Sequence, residues 1–147
     1  MEKNLVTSLV YKRKKARSQI VKKLLTKMIN LSGADIPSEV VIGDDIEFCH
    51  NCLGSVIYCN TTIEDNVRIY QNVTIGQADL FSEQPASFCI KEGAILCAGA
   101  KILGKGQLTV GRNTIIAANA VLLSSTGDNE VWAGIPAKKI KDRERIR

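Results

Sequence analysis

Residues 57–76, IYCNTTIEDNVRIYQNVTIG, decide the fold. Ile57, Ile63, Ile69 and Ile75 recur every six residues, and Thr61, Val67 and Val73 follow four residues after the first three. An amphipathic helix repeats near 3.6 residues and a half-buried strand near 2, so neither explains a step of six with that offset. A triangular coil does. Each side is one short strand, and three sides use about 18 residues before the chain returns above its start.

The same step runs outward in both directions. Ile36, Ile42 and Phe48 precede the stretch; Phe81, Ile90, Leu96, Ile102, Val110, Ile116 and Leu122 follow it. Val40, Ile46, Ala94, Ala100, Gly106, Thr114 and Ala120 keep the second, smaller position. Coil to coil, Ile57 to Ile75 is 18 residues, Ile36 to Ile57 and Ile75 to Leu96 are 21, and Leu96 to Ile116 is 20. Surplus residues are therefore expected as loops after Phe48, between Phe81 and Ile90, and between Ile102 and Val110. This register predicts one side stacking Ile36, Ile57, Ile75, Leu96 and Ile116. A second stacks Ile42, Ile63, Phe81, Ile102 and Leu122, and a third stacks Phe48, Ile69, Ile90 and Val110. Four to five coils result, each burying its apolar set on its neighbours.

The 147-residue chain is 45% hydrophobic but only 5% aromatic, a composition suited to tightly stacked strands. Its net charge of +5 is unevenly spread. Residues 1–30 hold nine Lys or Arg and one Glu, residues 31–137 hold five basic and twelve acidic residues, and the tail from Lys138 to Arg147 is basic. Leu5, Val6, Leu9 and Val10, then Ile20, Val21, Leu24, Leu25, Met28 and Ile29, are spaced for one or two amphipathic helices ending near Gly33. That basic segment suits a solvated or subunit-packing face, or contact with an anionic membrane surface or acidic partner. The expected organisation is a helical segment over 1–33, the coiled domain over 34–127, and a closing segment with basic tail over 128–147.

No apolar run is long enough to span a membrane, and Lys and Arg interrupt any signal-peptide core, which leads to a cytoplasmic expectation. The five cysteines would stay reduced there. Cys49 and Cys52 make a lone C-x-x-C; without a second pair, coil packing is a better reading than zinc, and no metal is expected. Nucleic-acid binding is not expected, because residues 11–23 lack the interleaved aromatics that stack bases.

The runs IGDDIEF, IEDNVRIYQNVTIG, IKEGAILCAGAKILG and VWAGIPAKKI resemble the hexapeptide-repeat acyltransferases, above all serine acetyltransferases and related capsule or polysaccharide acetyltransferases. The likeness covers roughly residues 34–140. It implies an all-β, left-handed parallel β-helix, although the general preference for right-handed crossovers would predict the opposite hand. It also implies acetyl-CoA as co-substrate, with no metal, and a homotrimer with sites between chains.

His50, in FCHNCLG, is the only histidine. Acyl transfer to a hydroxyl needs a base that holds a proton near neutral pH, and imidazole suits that. The family's D-H-A-T-G segment maps onto Cys49, His50, Asn51, Cys52 and, after one extra residue, Gly54. The resemblance thus makes His50 the general base and Asp35, in GADIPSEVVIG, the carboxylate that orients it. It maps pantetheine contacts onto Gln77, Ala98 and Ala118, which the register above would align along the axis. Gly76 and Gly99 keep the surface low beside them, and Lys138 and Lys139 after the AGIPA turn suit either coenzyme A phosphates or a solvated basic tail. The charged groups with which serine acetyltransferases hold their amino acid map onto Cys49 and onto Pro85, Ala86 and Ser87. A neutral hydroxyl acceptor, such as a sugar or polysaccharide precursor, is expected on that ground. L-serine is the alternative acceptor, and a non-catalytic solenoid scaffold is the alternative to an enzyme. A three-histidine metal enzyme on this fold is excluded by a single His, and a nucleotidyltransferase by the lack of room for a nucleotide-binding domain.

Overall fold

A computed structural model describes residues 4–79, 81 and 83–144; the ends of the two basic segments, residues 1–3 and 145–147, lie outside the described residues. Two helices come first, α1 (Leu5–Lys15) and α2 (Gln19–Leu31). The Asn4 side chain starts α1 by accepting a hydrogen bond from the Thr7 amide at 3.0 Å. Val6, Leu9 and Val10 form its buried stripe. Gly33, at φ 90°, ends the second helix in the left-handed conformation that glycine adopts readily. Arg13 is buried and ties the helices to the first coil. Its guanidinium donates to Thr26 Oγ1, to the Ile36 carbonyl at 2.6 Å and to the Pro37 carbonyl.

The rest of the described chain is three sheets of parallel strands, each closed by short corners. One joins 41–42, 61–63, 87–90 and 107–110. The next joins 47–48, 68–69, 95–96 and 115–116, and ends on the antiparallel pair 130–134 and 137–142. The third joins 56–57, 74–77, 101–104 and 121–122, with Asp35 bridged to Val56 beyond its first strand. Parallel strands that all return through neighbouring sheets make a β-helix. Its interior consists of three buried columns: Ile42, Ile63, Ile90, Val110; Phe48, Ile69, Leu96, Ile116; and Ile57, Ile75, Ile102, Leu122. The smaller positions pack between them, with Val40, Ile46, Val67, Val73, Ala94, Ala100 and Ala120 all buried.

The columns match expectation up to Ile75 and then change partners. Phe81 is not a coil residue: it is 97% exposed, in a loop over 78–86. Ile90 takes the place expected for Phe81, which moves Leu96 and Ile116 onto the column of Phe48, and Ile102 and Leu122 onto that of Ile57. The loop leaves the coil because its base is held by polar bonds. Tyr58 Oη donates to Gln77 Oε1, and Gln77 Nε2 donates to the Asp79 carbonyl at 2.7 Å. The aromatic inside is Phe88, buried edge-on against Tyr58 at 5.9 Å. Among the described residues, no helix is long and apolar enough to cross a membrane.

Candidate active site

One corner of the β-helix gathers the chemistry. It joins the second sheet to the third and stacks residues 49–54, 70–72, 97–99 and 117–119. The corner has a backbone ladder: Asn72 N donates to the Leu53 carbonyl, Gly99 N to the Gln71 carbonyl and Asn119 N to the Ala98 carbonyl, at 2.8, 3.0 and 2.9 Å. Gly54, Asn72, Gly99 and Asn119 all have φ between 57° and 74°. Only glycine, asparagine and aspartate take this left-handed conformation at modest cost, which explains their presence.

At the head of the corner, His50, Asn51 and Cys52 are consecutively left-handed, at φ 52°, 55° and 50°. Such backbone persists only where the surroundings determine it, and it occurs most often at functional sites. Here α1 holds the turn from above: Asn4 Nδ2 donates to the Phe48 carbonyl and Val6 N donates to Asn51 Oδ1. Cys52 holds it from below, fully buried, with its thiol toward the Tyr70 carbonyl. The imidazole of His50 is thereby turned out to solvent, with Tyr70 as its ring neighbour at 6.2 Å. An exposed imidazole fixed on a rigid turn can take a proton from a docked hydroxyl.

Ala98 is half-buried and Ala118 exposed, one above the other on the same corner, so the expected alignment of these two is found. Gln77 is not aligned with them. It lies at the end of a strand in the third sheet, opposite Gly104, with Gly76 opposite Leu103. The shift of partners at the 78–86 loop is the reason. The residue in register with Ala98 in the preceding coil is Gln71, whose Oε1 is buried without a hydrogen-bond partner. Glycine is favoured at 99, where φ is 74° and a Cβ would have to displace Asn119 Oδ1.

Asp35 is exposed and its backbone is engaged in the bridge to Val56; no hydrogen bond or ion pair joins it to His50 within the chain. Lys139 pairs with Glu130 at 3.0 Å and Asp142 at 2.8 Å, which occupies its ammonium in holding the closing hairpin. Lys138 is exposed and makes no ion pair among the described residues, so it is the freer of the two for a phosphate. Among these residues no cluster of three or more metal-ligating side chains occurs. Sequence reasoning missed Tyr70, Gln71 and the clamp of α1 on the turn. The one visible signal was the alternation of Asn and Gly six residues apart at 66 and 72, 93 and 99, and 113 and 119.

This arrangement is a candidate site on a β-helix, and comparison with known proteins gives the family. No family model matches the chain. It is 32% identical over 147 residues to the serine acetyltransferase of Staphylococcus xylosus, covering 97% of this chain and 64% of that protein. It is 38% identical over 106 residues to the serine acetyltransferase of Salmonella typhimurium, covering 71% and 37%. Among solved structures, serine acetyltransferase from Brucella abortus strain S19 in complex with coenzyme A superposes with a TM-score of 0.77 at 29% identity, over 95% of this chain and 54% of that one. The Vibrio cholerae enzyme gives 0.76 at 26%, over 95% and 53%. The chain belongs to the hexapeptide-repeat acetyltransferase family, and these named relatives are serine acetyltransferases. It spans less than two thirds of the length of the curated relatives quoted.

Proposed function

We propose that this chain is an acetyl-CoA-dependent O-acetyltransferase that works as a homotrimer of left-handed β-helices, with His50 as general base. The observation that carries the reading is the placement of the only imidazole, on a left-handed turn, at the head of a corner that continues through Gln71, Ala98 and Ala118. Ala98 and Ala118 on that line leave room for the pantetheine arm, and Gly76 and Gln77 border the loop on the adjoining side. Lys138 is the cation for the coenzyme's phosphates. Asp35 is the carboxylate to orient the base, acting once substrate draws the two together.

In the proposed reaction, His50 takes the acceptor hydroxyl's proton as the oxygen attacks the thioester carbonyl. The tetrahedral intermediate collapses, the C–S bond breaks, and the imidazolium returns the proton to the leaving thiolate. The products are the acetyl ester and free coenzyme A. Backbone amides of the corner are the groups available for the oxyanion. A covalent route through cysteine is less suited. Burial pushes the Cys52 thiol up to about 12, and raises Cys49 as well, so neither is a thiolate at neutral pH.

The acceptor is best read as L-serine. The relatives quoted carry that substrate in their names, and none supports the sugar or polysaccharide precursor expected from Cys49, Ala86 and Ser87. Cys49 and Ala86 are buried and uncharged, so the ends of the amino acid must be met by other groups. Thiol release from acetyl-CoA, measured with L-serine and with a panel of free and nucleotide-linked sugars, tests this. Turnover with L-serine above every sugar is expected; turnover with a sugar and none with serine would overturn the assignment.

A further inference from the structure

The second helix carries a surface that the acetyltransferase reading does not use. At 100° per residue, Ile20, Val21, Leu24, Met28 and Leu31 fall within one arc of α2, and all five are exposed, Ile20 and Leu31 at 80%. The helix packs on α1 through a different side, where Ile29 is buried and Leu25 lies against the core. Lys23 and Lys27 are exposed at one edge of the apolar arc. Lys12 and Lys15 of α1 and Arg17 in the connection are exposed as well. Residues 1–30 have only Glu2 to balance nine cations.

Water on five neighbouring large apolar side chains is costly, and a face of this kind marks an interaction site. Pairing this face with itself, the two helices antiparallel, would bring lysines against lysines. A convex helical strip is also a poor receptor for an acidic peptide, which binds in grooves. An amphipathic helix with apolar residues on one arc and lysines at its border lies in the interface of an anionic bilayer. From this geometry and charge we infer that α2 docks the protein on an anionic lipid surface, lying on it rather than crossing it. Apolar side chains enter the headgroup boundary, and Lys23 and Lys27 meet lipid phosphates.

The test is co-sedimentation of the full chain with phosphatidylcholine vesicles, with and without phosphatidylglycerol. Light scattering and thermal unfolding of each variant accompany it. Binding to the phosphatidylglycerol vesicles alone is expected, weakening as salt is raised. With about 1 kcal/mol per basic residue near an anionic surface, Lys23→Gln with Lys27→Gln lowers the partition coefficient by about thirtyfold. Ile20→Ser with Leu24→Ser abolishes binding while leaving mass and unfolding temperature unchanged, because both positions are exposed. The inference is overturned if the native chain ignores anionic vesicles. It also fails if binding is equal on neutral ones, or if the serine pair changes the oligomeric mass, which would make this face a contact between copies.

Discussion

The imidazole of His50 and the phenol ring of Tyr70 stand with centroids 6.2 Å apart and planes tilted by 49°. They come from successive coils, the turn after Phe48 and the residue after Ile69, which pair in one sheet. Tyr70 is therefore a side wall that limits where the base can point. Removing that wall leaves the base less well positioned, so Tyr70→Ala should lower kcat, by up to about 10²-fold, the scale for misplacing a catalytic group. Tyr70→Phe, which keeps the ring, should stay near the native value. Equal losses for both variants would show that the hydroxyl, not the ring, matters.

Direct transfer predicts that neither cysteine of the turn is a nucleophile. Cys49→Ser and Cys52→Ser should remain active, and initial-rate plots at varied acetyl-CoA and acceptor should intersect. Parallel lines, with loss of activity in either serine variant, would instead indicate an acyl-enzyme. Alkylation should begin at Cys59, the exposed cysteine.

The corner ladder predicts a contrast between two glycines. Gly99 has φ 74° and faces Asn119 Oδ1, whereas Gly76 has ordinary backbone and nearest neighbours at 3.9 Å. A left-handed alanine costs about 1–2 kcal/mol before the collision is counted, so Gly99→Ala should destabilise by about 2 kcal/mol or more. Gly76→Ala should change stability by less than about 0.5 kcal/mol. Denaturant midpoints for the two variants decide it.

Acid should loosen the closing hairpin before the coils. Burial opposes the charge on Glu130, but hydrogen bonds from the Trp132 indole, Lys139 and the Gly127 amide outweigh it and hold its carboxyl below the usual glutamate range. A carboxylate depressed in the folded state contributes stability that is present above its ordinary value of 4.5 and is lost as pH falls through the folded value. Trp132 is the only tryptophan, so its fluorescence should change over that acid window. The change should be absent in Glu130→Gln. A transition of the same size and midpoint in that variant would remove Glu130 from the account.

How much of this was legible in the sequence follows from what each residue had to satisfy. The columns through Ile36, Ile57 and Ile75, and through Ile42 and Ile63, were legible because an interior of stacked strands forces one large apolar residue per side. The loop over 78–86 was not. Phe81 stands six residues after Ile75 and satisfies the repeat by spacing alone, while the bond between Gln77 and Tyr58 at the base of the loop joins residues 19 apart in the chain. His50 was legible as the only residue of its type, and Ala98 with Ala118 by their shared offset. Gln71 and Tyr70 could be placed only once the coils were correctly stacked, because their proximity to His50 and Ala98 is a matter of register.

The central claim is that His50 removes the acceptor's proton in acetyl transfer from acetyl-CoA. It is tested most directly by comparing thiol release by the native chain and His50→Ala at saturating acetyl-CoA and L-serine, with coenzyme A affinity measured by calorimetry on both. Loss of a general base lowers kcat by about 10²–10⁴-fold, and that loss is predicted with coenzyme A affinity unchanged. Near-native turnover by His50→Ala would contradict the account.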